Sequence, residues 1–260
     1  MMKRIAGLAF CSMILASTMA GDAAIKVVGY HNVHIAVTDQ DKAIAWYAEH
    51  LGGKRSPTQP NVMIGETLIV FMKAATQPSA GGAIDHIGLS FPDVDAKVAE
   101  LVAAGAKVLT APRDAPGLFR LAFIEDPWGT KIELTQDAEW PNFHHVHLRG
   151  TDATATLDWY QSLLGGTRDK LKGKIDGLRY GGVWLLVDTR QGAPLVPSGE
   201  AAITMAAWSV ANVDDAAVEF KAKGAKTIVE PRAVAPTVRM AMFADPNGAS
   251  VELLQFPPAK

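Results

Sequence analysis

The chain has 260 residues, enough for one large domain or two compact ones, and its 48% hydrophobic and 20% charged residues exclude a disordered polymer. Its net charge of −2, with no basic stripe, excludes nucleic acid as a natural partner.

At the start of the chain, Lys3 and Arg4 precede an uncharged run from Ile5 to Ala20 that ends in Thr18-Met19-Ala20. Basic start, short apolar stretch and small-residue end predict an export signal over residues 1–20, and hence a periplasmic or secreted mature protein. The run is shorter than the roughly 20 apolar residues that span a bilayer, so no stable membrane insertion is expected after cleavage. Cys11 is the only cysteine and leaves with the signal. Any metal site in the mature chain must then use His, Asp or Glu.

Beyond the signal the chain repeats itself. His31-Asn32-Val33-His34-Ile35 is echoed by His144-His145-Val146-His147-Leu148, Trp46-Tyr47 by Trp159-Tyr160, and Leu51-Gly52-Gly53 by Leu164-Gly165-Gly166, each 113 residues on. Asp126-Pro127-Trp128-Gly129 recurs as Asp245-Pro246-Asn247-Gly248 and Glu133 as Glu252, now 119 residues on. The extra residues fall in the Pro- and Gly-bearing stretch 189–201. The copies run over 29–136 and 143–256, with a linker between them.

Each copy divides again. In the first, the alternating strand 33–37 leads into a helix over 41–51 stopped by Gly52-Gly53, then strands at 61–64 and 67–72. A second unit opens with a strand at 85–91 and a helix over 94–104 stopped by Gly105, followed by strands near 107–109, 120–124 and 130–135. The predicted fold class is α+β, four βαβββ modules along the chain. Asp126-Pro127-Trp128-Gly129 is a hairpin turn in which Pro fixes φ and Gly accepts a positive one.

Strand parity picks out candidate chemistry. Val33, Ile35 and Val37 share one face and leave His34 on the other; His86 and Glu133 stand likewise opposite apolar neighbours. Two imidazoles and one carboxylate suit a divalent transition metal with positions left for water or substrate. Parity does not by itself bring three strands together, and each residue alone also fits an ordinary hydrogen-bonding role.

At these residues the sequence resembles the vicinal oxygen chelate superfamily, which includes glyoxalase I, extradiol dioxygenases and drug-resistance proteins. The resemblance rests on His34, Trp46-Tyr47, Leu51-Gly52, Asp85-His86-Ile87-Gly88-Leu89 and Asp126-Pro127-Trp128-Gly129 with Glu133, and covers nearly all the mature chain. It implies two tandem cup-shaped domains. The first (29–136) would hold one divalent metal through His34, His86 and Glu133. Fe2+ is favoured over Mn2+, Zn2+ and Ni2+. The second (143–256) would be degenerate and metal-free, because Met205 stands in place of His86 and Arg149 in place of Ala36. An Arg149–Glu252 ion pair is expected in its place, and His144 and His145 are expected as strand-entry or linker residues.

Departures from the family shape the functional expectation. The fourth ligand position of glyoxalase-like members falls at Val70, which leaves a two-His, one-Glu set resembling extradiol dioxygenases. Those enzymes place a Tyr where this chain has Phe123, and a His where it reads Arg113-Asp114-Ala115-Pro116. The leading expectation is an exported Fe(II) extradiol-type dioxygenase acting on a small oxygenated substrate. The alternatives are a glyoxalase-type lyase or isomerase and a non-catalytic small-molecule binding protein. No catalytic acid or base and no oligomeric state is singled out.

Overall fold

The computed structural model describes residues 25–75, 77–190 and 195–257. The expected export signal lies outside them. Among the described residues, no helix is long and apolar enough to cross a membrane.

The first copy contains β1 (Val27–Val37), α1 (Gln40–His50), β2 (Lys54–Arg55), β3 (Asn61–Ile64) and β4 (Thr67–Lys73), then β5 (Ile84–Ser90), α2 (Val94–Ala103), β6 (Lys107–Asp114), β7 (Arg120–Glu125) and β8 (Lys131–Thr135). The second repeats this with β9 (Asn142–Gly150), α3 (Ala153–Leu164), β10 (Thr167–Leu171), β11 (Ile175–Tyr180) and β12 (Val183–Thr189), then β13 (Ile203–Val210), α4 (Val213–Ala222), β14 (Lys226–Ala235), β15 (Val238–Ala244) and β16 (Ser250–Gln255). These are the four predicted modules. Each helix opens on an Asx cap: Asp39, Asp93, Asp152 and Asn212 accept backbone N–H groups of the first turn, satisfying donors that the helix itself cannot. Gly129 and Gly248 close the two Asp-Pro turns at φ near +90°, as predicted.

The modules pair across the repeat rather than within it. One eight-stranded sheet has the order β14-β15-β16-β13-β1-β4-β3-β2, joining the fourth module to the first; the other runs β10-β11-β12-β9-β5-β8-β7-β6, joining the third to the second. The linker dictates this. β8 runs parallel to β5 and ends with Thr135 beside Ser90, while β9 begins with Asn142 beside the same Ser90, antiparallel on the other side. The short segment 136–141 only has to step over the end of β5, so the third module is delivered next to the second.

Each copy therefore straddles both sheets, and its first helix ties them together. Trp46 Nε1 donates to the Ala104 carbonyl at the end of α2 (2.9 Å) and Tyr47 OH to Asp126 (2.7 Å); Trp159 and Tyr160 repeat this onto Lys223 and Asp245. One continuous core holds Val33, Ile35, Ile69 and Trp208 from one sheet with Ile87, Leu89, Ile132 and Val146 from the other. The apolar strand faces meet in this core, and the opposite faces form the cups.

Candidate metal centre

The cup of the second and third modules gathers four ligand-type side chains. His86 comes from β5, Glu133 from β8, and His145 and His147 from β9; one ligand atom from each lies within 4.8 Å of the others. None is more than 7% exposed. His145 and His147 point into the cup together because they are two residues apart on one strand. A register shift makes His144 an extra residue beside them, since Gly88 pairs with His145 but Leu89 with Phe143. Such a bulge re-aims side chains, and His144 Nδ1 stands 2.7 Å from His145 Nδ1.

Asp85 orients the cluster from behind. Its Oδ1 lies 2.7 Å from His86 Nδ1, which leaves His86 Nε2 facing Glu133 Oε2 at 3.1 Å. Asp85 also accepts the Gly81 N–H at 2.6 Å and meets Lys131 and the Arg149 Nε, the latter at 2.9 Å. Its own burial opposes ionisation, but the His86 hydrogen bond and Lys131 hold its carboxyl well below the usual range. Burial likewise works against charge on His86, yet the carboxylates of Asp85 and Glu133 outweigh it and raise its pKa. Burial pushes His145 down to about 3 and lowers His147. Glu133 is lowered despite its burial, because the nearby imidazoles of His145 and His86 favour its charged form.

These residues fit a divalent metal. Both ring nitrogens of His147 and the Nε2 of His145 are buried with no hydrogen-bond partner. His145 Nε2 is 3.2 Å from Glu133, and His147 Nε2 is 3.2 Å from Asp188, but neither contact is aligned as a hydrogen bond. Buried imidazole nitrogens left over in this way are costly unless something else binds them. Ligands about 2.1 Å from one ion stand roughly 3–4.2 Å apart. Glu133 lies 3.1 Å from His86 and 3.2 Å from His145, and all four ligand atoms lie within 4.8 Å of one another, so a small inward turn of the side chains would close them on one ion. The Asp85–His86 contact is the outer-shell support that metal-bound imidazoles normally have. Gly88 adds the last condition: a Cβ there would fall within the space of the His145 ring.

Of the expected set His34, His86 and Glu133, the structure brings together only the last two. His34 stands in the other sheet, its Nε2 3.3 Å from Glu252 Oε2, between Val70 of β4 and Met205 of β13. The cause is the pairing of modules across the repeat, which exchanges His34 for its counterpart His147. The expected Arg149–Glu252 pair fails for the same reason, and Arg149 meets Asp85 instead. Sequence reasoning missed His145. Its signal was its i,i+2 spacing from His147, with both residues on one strand face.

A cavity of about 330 Å³ opens above the cluster, lined by Phe123 and Lys131 beside the metal-type residues and by Leu171, Ile175 and Leu186 across from them.

Paired cups of βαβββ modules around a buried His/Glu cluster define a vicinal-oxygen-chelate protein. The sequence profile of the Glyoxalase/Bleomycin resistance protein/Dioxygenase superfamily matches residues 29–134 and 142–253, and the chain belongs to that superfamily. It is 26% identical over 249 residues to a Mycobacterium bovis protein named "Putative glyoxylase CFP32", covering 86% of this chain and 93% of that one. Among solved structures, glyoxalase I from Zea mays superposes with a TM-score of 0.68 at 22% identity, over 89% of this chain and 92% of that one. A "putative dioxygenase" from Bacillus subtilis gives 0.64 at 15% identity, over 91% and 87%. At these identities the structural likeness is one of fold.

Proposed function

We propose that the chain is a metal-dependent enzyme that holds one divalent transition metal through His86, Glu133, His147 and His145, and acts on a small substrate with adjacent oxygens. The observation that carries this reading is the set of buried imidazole nitrogens without partners around Glu133. Nitrogen donors with one carboxylate favour Fe2+, Mn2+, Zn2+ or Ni2+ over Mg2+ or Ca2+. A bound ion would polarise substrate oxygens and ease loss of a hydroxyl proton.

Around that ion the chain supplies the orientation. Asp85 fixes the ring of His86, Phe123 packs edge-on against it at 5.1 Å, and the apolar wall excludes water. A second carboxylate stands at the edge of the site. Asp188 of β12 pairs with Arg149, two residues past His147, as Glu133 pairs with Gly88, two past His86. Its Oδ1 is 3.2 Å from His147 Nε2, but with 59% of its side chain exposed it lies outside the four-residue cluster. Its place outside the cluster is the ground for putting a dioxygenase with Fe2+ ahead of a glyoxalase-type lyase or isomerase, which relies on a carboxylate ligand there. The second reading keeps its own support in the similarity to a protein named as a putative glyoxylase.

Metal analysis of anaerobically purified protein, followed by oxygen uptake with a panel of catechols, tests the proposal. One metal per chain is expected, lost in His86→Ala, Glu133→Ala and His147→Ala and kept in His34→Ala and Glu252→Ala. Retention in the first group would overturn the site. Iron-loaded protein that consumes no oxygen with any catechol would overturn the dioxygenase and leave the lyase or isomerase.

A further inference from the structure

The cavity above the cluster carries positive charge that the cluster does not use. Arg113, Lys131 and Arg149 all line it. Lys131 and Arg149 share a single carboxylate, Asp85, which also serves His86. Glu133 is engaged by two histidines. Arg120, near Arg113 on the adjacent strand, is neutralised by Asp95 and Asp114. Arg113 itself is exposed on β6 and has no carboxylate within 4.0 Å among the described residues. The remaining lining carboxylate, Asp188, is beside His147 with 59% of its side chain in solvent. A divalent ion at the cluster would add to this surplus.

The rest of the wall is apolar. Leu171 and Leu186 are buried together with Trp184, and Ile175 and Phe119 pack against them. At about 330 Å³ the cavity is at the small end of the roughly 300–1,000 Å³ typical of ligand sites, room for one substituted ring. A guanidinium fork matches a planar carboxylate in a bidentate way and holds it more firmly than a neutral group.

From this we infer that the ligand is a compact aromatic acid. Its carboxylate pairs with Arg113, its ring lies against Leu171, Ile175 and Leu186, and its oxygenated edge faces His86 and His147. The placement of that edge rests on the metal reading above; the recognition of the acid by Arg113 does not.

Calorimetric titration of Zn2+-loaded and chelator-treated protein with catechol, benzoate and 3,4-dihydroxybenzoate tests this, with metal content measured on the same samples. The dihydroxy acid is expected to bind about ten-fold or more tightly than catechol, falling to within about three-fold in Arg113→Ala and partly restored in Arg113→Lys. Arg113 is exposed, so neither variant threatens the fold. Equal binding of acid and neutral ring, a preference unchanged in Arg113→Ala, or no binding of any of the three would overturn the inference. If no metal binds but the Arg113-dependent preference for acids persists, the metal reading falls and this one stands.

Discussion

Gly88 limits how close the side chains of β5 and β9 come at the site. It pairs directly with His145, and a Cβ there would meet three atoms of the imidazole at under 3.0 Å. The counterpart of Gly88 in the other cup is Ala207, where Asn32 replaces His145. A methyl group is tolerated there because no ring occupies the space. Gly88→Ala should therefore push His145 out of the cluster, at a cost of about 1–3 kcal/mol for overpacking, while leaving His86 and Glu133 in place. Chelator competition should show weaker metal binding with the metal still present at saturation. Unchanged affinity would show that His145 does not touch the metal. From the sequence, Gly88 was legible as part of the Asp85-His86-Ile87-Gly88-Leu89 motif, but not that it makes room for a histidine on another strand, because nothing local names the partner strand.

Among the elements, α1 and the β7–β8 turn depend on one buried carboxylate. Asp126 accepts the Tyr47 hydroxyl at one oxygen and the N–H groups of Trp128 and Thr130 at the other. Burial raises its pKa from 3.8 to about 6 even though these donors favour the ionised form. The folded protein thus holds this proton more tightly than the unfolded chain. The resulting stability is complete below about pH 4 and is lost as pH rises through 6, a change on the order of 2–3 kcal/mol. Asp126→Asn removes that titration while keeping an acceptor for the two N–H groups. Urea unfolding of both proteins at pH 4.5 and 7.5 should show the difference moving in favour of the variant at the higher pH. A difference that stays constant would mean that Asp126 is already ionised at the lower one. The elements themselves were legible: Gly52-Gly53 and Gly105 mark the helix ends, and parity separates core from cup faces. β6 extends to Asp114, past the stretch near 107–109 that was expected, because its outer face is exposed and carries little apolar pattern.

For the whole molecule, the decisive feature is the linker 136–141. Repeats, parity and turn motifs are satisfied equally whether a module pairs inside its copy or across to the other, so the sequence pattern alone leaves the partners open. The step from Thr135 over Ser90 to Asn142 settles them, and with them whether His34 or His147 joins His86. Neither copy holds the cluster alone, since one contributes His86 and Glu133 and the other His145 and His147. Residues 25–138 and 139–257 produced as separate chains should each expose the central strands β1 and β5 or β9 and β13, and should associate one to one when mixed. Size-exclusion chromatography with metal analysis would show the metal only in the mixed species; a monomeric half that binds it fully would exclude the shared cup. The same interleaving bears on how such a chain can change over generations. In the other cup Met205 stands at the place of His86 and Met72 at the place of Asp188, and the first copy supplies Met72 and the second Met205. The presence of ligand-type residues follows the sheets, not the copies. A duplicated chain folded this way has no spare half to discard, because deleting either copy would take residues from the cup that still works.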